Sequence, residues 1–453
     1  MTLDNFLENK DALLNDLFDL LRIPSVSADP KHKPDMEHMA ELWKQKLLGI
    51  GMDEAEVYQT KGNPVTFARK TVDPEFPTVL IYAHMDVMPV DPLNLWHTDP
   101  FEPVVKEGKI WARGADDDKG QSYIHFKAVE YLLKNNLLNC NVKFIIEGEE
   151  EVGSQSLPAF IDAHKDLLEA DVILVSDTSM INPTTPAITS GLRGLAYWQI
   201  EVTGPSRDLH SGLFGGAVAN PANILCELIA GMFDENRQIT IPGFYDDVLE
   251  VTDYERGLIN KTPVVEEEYK KSLNVKELLG EKGYSIPERT GIRPTFDVCG
   301  IWSGFTGVGA KTVIPSKAYA KVSSRIVPDQ DPDKIADMLV EHLNTIAPDY
   351  VTVKVEKMHG GRPYVCPIDI PAYKAAEKAC EAVFGKTPVS LKSGGSIPII
   401  STFEEKLGLK SVLLGFGLES DAIHSPNENF PVENIVNGIK TSVKFFEYFS
   451  DMA

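Results

Sequence analysis

The sequence has little of what marks several common protein classes. It contains only five cysteines, which are widely scattered and form no CxxC pair, so we expect them to be reduced and mostly structural. Basic residues are also scarce, because 44 lysines and arginines stand against 67 acidic residues and leave a net charge of −23. This charge repels phosphate backbones and anionic membranes, so we expect neither a nucleic-acid nor a membrane partner.

The first residues do not show the pattern of a targeting signal. Residues 1–26 mix acidic side chains into an amphipathic pattern, without a basic region followed by an uninterrupted apolar run. We therefore expect no signal peptide and no membrane span, and we predict a cytoplasmic protein. Internal repeats, low-complexity segments and long disordered linkers are also missing from the pattern.

The first part of the chain alternates between strand and helix patterns. Apolar β-type runs end at Ala83, Ile146 and Ser176, and helical spacing covers residues 121–134 and 156–168. An amphipathic helix is also predicted over 5–22. This alternation predicts an α/β domain with a mixed, mostly parallel sheet and helices on both faces.

The pattern changes near Leu192, which indicates a second domain. Two predicted strands, over 195–204 and 317–328, lie on either side of a helical, acidic stretch over 222–283, and a further predicted strand follows. This order is typical of an antiparallel α+β unit. After Pro367 the first pattern returns, and 453 residues are too many for one core. We predict a first domain of residues 1–191 and 366–453, with residues 192–365 inserted in it.

Chemically active side chains follow four predicted strands. They are His84 with Asp86, Glu147 with residues 149–151, Asp177, and His424. Each motif alone has an ordinary structural explanation, such as a satisfied polar residue, a solvated charge run or, for residues 116–120, a turn and helix cap. The carboxyl ends of strands in an open α/β sheet form its binding crevice, so their occurrence together predicts a site.

The residue types indicate a metal centre. Carboxylates and imidazoles together suit divalent zinc, manganese or cobalt, and several carboxylates suit two adjacent ions bridged by an aspartate. In an extended chain His84 and Asp86 lie on one face, so Asp86 can orient the imidazole. Within the glutamate run, one side chain can bind metal while a neighbour acts as general base. The pattern therefore favours metal-assisted hydrolysis.

Motifs along nearly the whole chain resemble one enzyme family. They are IYAHMDVMPV, WARGADDDKGQ, IIEGEEEVGS, ILVSDTSM, SGLRGLAYW, RDLHSGLFGG, GAKTVIPSKAYAKVSSRIVP, MHGGRP, GGSIPI and IHSPNE. The family is that of the dinuclear metallopeptidases, which includes cytosolic non-specific dipeptidase, carnosinase, bacterial dipeptidases and deacylases. The RDLHSG and AKTVIP segments and the long inserted domain resemble the dipeptidase and carnosinase branch most.

The resemblance implies a role for each residue of the first domain. It implies two divalent ions per subunit, zinc or alternatively manganese, held by His84, Asp177, Glu151 and His424 and bridged by Asp117. In this pattern His84 and Asp177 bind one ion, Glu151 and His424 bind the other, and the bridge stands two residues before Lys119. Glu150 then falls at the general base and Asp86 at the position that orients His84.

The resemblance also implies roles for the inserted domain, as a lid and dimerisation domain. His210 resembles a histidine that reaches the partner subunit's site in a homodimer and stabilises the developing oxyanion. Thr312, Arg325, His359 and Ser396 resemble residues that grip the terminal carboxylate and backbone of the peptide. One departure affects substrate preference, because Lys392-Ser393 stands where the relatives have Arg-Glu before Gly-Gly-Ser.

The function implied is hydrolysis of dipeptides or short peptides by an exopeptidase. A deacylase or desuccinylase acting on N-acyl amino acids would use the same metal ligands and Glu150 with a different inserted-domain pocket. A non-catalytic metal-binding module is the alternative of a different class. The complete set of ligands and the base disfavours it.

Overall fold

The computed structural model describes residues 1–260, 264–394 and 397–452. Its chain forms two compact units. The first comprises Met1–Ser190, Cys366–Leu391 and Thr402–Ala453, and the second comprises Gly191–Val365 and Lys392–Ser401. The second unit thus takes in residues 392–401, which the sequence prediction had assigned to the first domain.

Helices and strands are numbered in chain order over the described residues. The helices are α1 Leu3–Glu8, α2 Lys10–Leu21, α3 Lys33–Gly49, α4 Lys119–Lys134, α5 Leu157–Ala163, α6 Lys165–Leu168, α7 Ser211–Phe214, α8 Pro221–Ala230, α9 Asp253–Ile259, α10 Glu266–Ser272, α11 Ile286–Gly291, α12 Pro332–Ile346, α13 Pro371–Phe384, α14 Pro398–Leu407 and α15 Val432–Ser450. The strands are β1 Glu54–Tyr58, β2 Val65–Lys70, β3 Thr78–His84, β4 Val104–Lys106, β5 Lys109–Trp111, β6 Asn141–Glu147, β7 Val172–Val175, β8 Ala187–Leu192, β9 Gly194–Thr203, β10 Leu209–His210, β11 Asp297–Ser303, β12 Val313–Ile314, β13 Lys317–Ile326, β14 Thr352–Gly361, β15 Tyr364–Val365, β16 Val389–Ser393, β17 Ser411–Leu413 and β18 Asn429–Pro431.

The first unit is built on a mixed sheet whose centre is parallel. Strands β6, β3, β7 and β17 are neighbours in this order and run parallel, whereas β2 joins β6 and β8 joins β17 in antiparallel pairs. The central strands are almost wholly buried, which is why they read as unbroken apolar runs such as VLIYA and VILV. Helix α4 is buried along nearly its whole length and packs on β3, α2 and α15. The predicted α/β class is confirmed.

The second unit contains a four-stranded antiparallel sheet in the order β11-β13-β9-β14. Burial alternates along β9 and β13, so that Trp198, Ile200 and Val322 face a core that α8 and α12 complete. This arrangement is the α+β unit that the alternating sequence pattern predicts.

Several predicted helices are shorter in the structure. The helix predicted over 5–22 is divided into α1 and α2 because the Asn9 side chain caps the second helix by accepting from the Ala12 amide. The helix over 156–168 is also divided, at His164, without a capping hydrogen bond from that side chain. In the stretch over 222–283, helix α8 ends before Gly231, and the next described helix begins at Asp253.

Two general expectations can be compared with the structure. All five cysteines are free thiols, and three of them are buried. Among the described residues, no helix combines the length and the apolar character that crossing a membrane requires.

Candidate metal centre

The end of β3 places His84 at the centre of a buried polar cluster. Its ring Nε2 lies 3.1 Å from Oδ1 of Asp117, and its Nδ1 lies 3.1 Å from the main-chain oxygen of Asp86. The imidazole is completely buried. Because Nδ1 faces a carbonyl acceptor, it carries a proton, and in the bare protein Nε2 donates to the Asp117 carboxylate.

The carboxylate of Asp86 holds a different part of the site. Its Oδ1 accepts from the Glu150 amide at 3.2 Å and its Oδ2 from the Glu151 amide at 3.1 Å, while Oδ1 lies 3.4 Å from Nδ1 of His84. Asp86 therefore contacts the imidazole chiefly through its main chain, and its side chain fixes the turn that carries the two glutamates.

Asp117 stands between two sets of possible metal ligands. Its Oδ1 faces His84, and its Oδ2 lies 3.0 Å from Nε2 of His424, which is also 3.2 Å from Glu151. In the set of His84, Asp117 and Asp177, one ligand atom of each lies within 4.8 Å of the others. The same holds for Asp117, Glu151 and His424. One carboxylate thus belongs to both sets, as a bridging ligand does.

The run Glu149–Glu151 is not a solvated charge run. Glu149 is buried, and its carboxylate accepts from the amides of Asn63 at 3.1 Å and Ser156 at 2.8 Å. Glu150 and Glu151 follow on a single 3-10 turn, Glu150–Val152. The turn is therefore held in two ways. Glu149 anchors its start to Asn63 and Ser156, and Asp86 accepts from the amides of Glu150 and Glu151 within it. The three neighbouring glutamates have different partners because the turn points each side chain in a different direction.

A buried ion pair anchors the loop that carries Asp117. Glu428 is fully buried, and its Oε2 lies 2.7 Å from Nη1 of Arg113 and 3.0 Å from the Gly114 amide. Its Oε1 accepts from the amides of Asp116 at 3.0 Å and Asp117 at 3.1 Å. Burial raises the pKa of Glu428 and Arg113 opposes this. Four donors surround the group, so we assign it the ionised form.

The charges of the site are unevenly balanced. Burial and the neighbouring Asp86 and Glu151 carboxylates together raise the pKa of Glu150 to about 7, against the opposing effect of His84. Burial and the nearby Asp117 also raise the pKa of Asp177. For Asp117 burial acts in the same direction, but hydrogen bonds from His424 and His84 hold its pKa below the usual range. In the bare protein the carboxylates of the site therefore outnumber the positive charges that could neutralise them.

This imbalance fits a site for divalent cations. Bonds with Asp117 and Glu151 raise the pKa of His424 to about 10, so in the bare protein this imidazole acts as a cation. Buried oxygens of Asp116, Asp118 and Glu147 have no hydrogen-bond partner among the described residues. A set of three carboxylates and two imidazoles is the donor chemistry that zinc and manganese take. The residues thus fit the metal ions that the sequence predicts.

The second unit carries the other predicted residues. His210 is exposed in β10, where its Nδ1 accepts from the Gly212 amide. Thr312 lies beside it, because the Ser211 amide donates to the Thr312 carbonyl at 3.1 Å. Arg325 lies in β13 opposite Leu195. Ser396 and the side chain of His359, which belongs to β14, are outside the described part of the chain.

Sequence reasoning assigned no individual role to four residues that shape the site. They are Arg113, Glu149, Glu428 and Glu147, the last accepting at 2.8 Å from both the Tyr82 hydroxyl and Ser154. All four lie inside or beside the family motifs, and this position was the sequence feature that could have indicated their importance. Their partners could not be read, because Arg113 and Glu428 are 315 residues apart.

Known proteins resemble this chain over almost its full length. A family model described as Peptidase family M20/M25/M40 matches residues 80–448. The Cys-Gly metallodipeptidase dug1 of Schizosaccharomyces pombe is 34% identical, over 97% of this chain and 97% of its own. The solved M20 family metallo-carboxypeptidase Sso-CP2 from Sulfolobus solfataricus has a TM-score of 0.87 at 34% identity, covering 97% of this chain and 99% of that one. Human carnosine dipeptidase 1 has a TM-score of 0.84 at 31% identity, covering 99% and 98%.

These similarities agree with the geometry of the two ligand sets, which was obtained from this structure independently of any relative. The family match includes all the first-unit residues that form the cluster, from His84 to His424. The chain therefore belongs to Peptidase family M20/M25/M40 and is a metal-dependent hydrolase of peptide bonds.

Proposed function

We propose that this chain is a two-metal exopeptidase that hydrolyses dipeptides and other short peptides. The observation that carries the proposal is Asp117, whose two carboxylate oxygens face two separate ligand sets. A single-ion site would not need a carboxylate shared in this way. Relatives named as dipeptidases, including dug1 and human carnosine dipeptidase 1, support the substrate class.

In this proposal His84 and Asp177 hold one ion, and Glu151 and His424 hold the other, with Asp117 between them. We propose zinc, with manganese as the alternative, because both accept mixed imidazole and carboxylate ligands. When bound, such ions supply Lewis acidity that polarises the scissile carbonyl and makes a water molecule acidic enough to lose a proton near neutral pH.

Glu150 is the proposed general base. It removes a proton from the attacking water and later gives it to the leaving amine, which departs as a neutral group. A carboxyl whose pKa lies near 7 can do both at neutral pH, and burial together with the neighbouring carboxylates raises the pKa of Glu150 to about 7. Asp86 and Glu149 position Glu150 through the contacts with its turn, and they take no part in the proton transfer.

The second unit supplies the proposed contacts to substrate. Arg325 is suited to the terminal carboxylate, because a guanidinium binds a carboxylate through two parallel hydrogen bonds. Thr312, His359 and Ser396 are proposed to hold the carboxylate and the peptide backbone. Recognition of a free carboxyl terminus close to the scissile bond limits substrate length, which favours an exopeptidase.

We further propose a homodimer in which His210 stabilises the oxyanion in the partner subunit's site. Two features support this assembly. His210 is exposed and makes its described side-chain hydrogen bond only with a neighbouring amide. Strand β11 lies at the edge of its sheet and exposes Ile301 and Trp302, which are 51% and 40% accessible. The free thiols of all five cysteines fit the cytoplasmic location that we also propose.

A panel of substrates tests the proposal against its alternatives. Metal-stripped protein is reloaded with zinc or manganese and assayed on a dipeptide, a tripeptide, a longer peptide and an N-acyl amino acid. We expect the dipeptide to be hydrolysed fastest. Preference for the N-acyl amino acid would identify a deacylase, and progressive trimming of the longer peptide would identify a carboxypeptidase, the activity named for Sso-CP2. Metal binding without hydrolysis of any substrate would identify the protein as a non-catalytic metal-binding module.

A further inference from the structure

Arginines are concentrated around one cavity of the second unit. The chain has few arginines for its size and a net charge of −23, yet four of them line a single pocket of about 290 Å³. These are Arg193, Arg237, Arg289 and Arg293. Among the described residues, only two carboxylates, Glu281 and Asp297, belong to the same lining, so its described charged groups leave an excess of two positive charges. Such a local excess requires an explanation in an acidic protein.

Two of the arginines build the walls of the pocket. Arg193 is 8% exposed, and it donates to the carbonyl oxygens of Gly394, Arg289 and Arg293 at 3.2 to 3.3 Å. Arg293 forms two hydrogen bonds with Glu281, at 2.7 and 2.6 Å, which neutralise that carboxylate. The Arg293 guanidinium is also held over the rings of Tyr245 and Tyr284. The charge of Glu281 is therefore already compensated within the wall.

The other two arginines have donors to spare. Arg289 donates through Nε to the Glu281 carbonyl at 3.0 Å, and its two terminal nitrogens have no acceptor in the described chain. Arg237 packs its guanidinium 4.1 Å from the centre of the Phe233 ring, and no described residue accepts a hydrogen bond from it. A guanidinium fixed by an aromatic ring keeps its planar donors oriented, which suits it to bind an oxyanion.

The electrostatics of the wall favour an anion in the cavity. Burial and the nearby charge of Arg325 lower the pKa of Arg193 to about 10. A positive charge held at such a cost is stabilised by any anion that enters the pocket. The volume lies just below the usual range for small-molecule sites, which suits a ligand of few atoms.

We infer that this pocket binds a small anion with two negative charges on oxygen, such as a phosphate or a dicarboxylate. Arg237 and Arg289 would make the direct hydrogen bonds. Arg193 would add its charge from the wall. Of the proposed substrate contacts that the structure describes, His210, Thr312 and Arg325 are not part of its lining, although Arg325 lies close enough to Arg193 to lower its pKa.

Binding to metal-stripped protein tests this inference, because phosphate could otherwise bind at the metal centre. Titration calorimetry is carried out with inorganic phosphate and, separately, with succinate, in chloride buffer of constant ionic strength. The variants are Arg237→Gln and Arg289→Gln. The control is Arg69→Gln, which removes the same charge from an exposed pair with Glu54 in the first unit.

We expect one saturable site per chain that each pocket variant weakens about tenfold, or 1.4 kcal/mol, and that the control leaves unchanged. Tighter binding of phosphate than of succinate would identify a phosphoryl ligand, and the reverse order a dicarboxylate. Absence of saturable binding by both anions would overturn the inference, and so would equal affinity in the parent and both variants. If Arg289→Gln fails to fold, Arg237→Gln decides, because the described contact of its guanidinium is ring stacking.

Discussion

Replacing Glu428 with glutamine tests how the fold positions the bridging aspartate. Glutamine has nearly the same shape as glutamate but no charge, and it presents one oxygen and one NH2 group. The native carboxylate accepts four hydrogen bonds, two at each oxygen. In Glu428→Gln the NH2 group must face two N–H donors, either Arg113 with Gly114 or Asp116 with Asp117. Half of the anchoring contacts therefore become repulsive.

The size of the effect follows from burial. Glu428 is completely buried and Arg113 is 1% exposed, so the substitution leaves an uncompensated buried cation. Breaking a buried ion pair by removing one partner costs about 3 to 5 kcal/mol. If the loop shifts to relieve the N–H contacts, Asp117 moves with it. Loss of a residue that supports a metal ligand typically weakens metal binding by about 10- to 100-fold.

Two measurements separate loss of stability from loss of positioning. Urea unfolding of the metal-stripped protein gives the stability difference, and chelator competition on the folded protein gives the metal affinity. The control is Glu433→Gln, an exposed glutamate in the first turn of α15. Unchanged metal affinity in folded Glu428→Gln protein would refute the positioning argument, even if the protein were less stable.

Three further predictions concern substrate binding, assembly and pH. Arg325→Ala should lower kcat/KM for free dipeptides by about 10- to 150-fold, the effect of losing 1.5 to 3 kcal/mol, and should affect their C-terminal amides much less. Equal losses on both would exclude the carboxylate contact. His210→Ala and Glu150→Gln should each be nearly inactive, yet mixed dimers should regain about a quarter of parental activity, since about half the dimers are mixed and each has one intact site. Proven subunit exchange without recovery would exclude a shared site. Burial lowers the pKa of His125 to about 3, so its protonation favours the unfolded chain, and stability should fall as the pH drops below about 6.5. Between pH 6.5 and 5 the free energy of unfolding of the parent should fall by about 2 kcal/mol more than that of His125→Gln, as measured by urea unfolding. Parallel pH profiles of the two proteins would contradict the assignment.

The strand ends of the first domain were predictable because their signals are local. A buried parallel strand requires a continuous apolar run, and the parallel register then brings His84 beside Glu147 at the same edge. The predicted sheet class and the inserted α+β unit are confirmed for this reason. Helix lengths were less predictable, since the break at Asn9 depends on a single capping residue.

The contacts that position the site could not be predicted. Glu149, Glu150 and Glu151 are identical in the sequence, and only the geometry of a 3-10 turn distinguishes their partners. The ion pair between Arg113 and Glu428 joins distant parts of the chain and leaves no periodic pattern. The roles of individual residues as ligand, base or substrate contact stay predictions.

The most direct test of the proposed mechanism is the metal content of Glu150→Gln protein, measured by mass spectrometry after dialysis alongside its turnover of a dipeptide. The ligand sets contain Glu151 but not Glu150. We therefore predict two divalent ions per chain, as in the parent, with hydrolysis reduced by at least about 100-fold. Glu151→Gln, the matched control, should lose metal. A Glu150→Gln protein that is empty of metal, or one that retains both metal and full activity, would contradict the account.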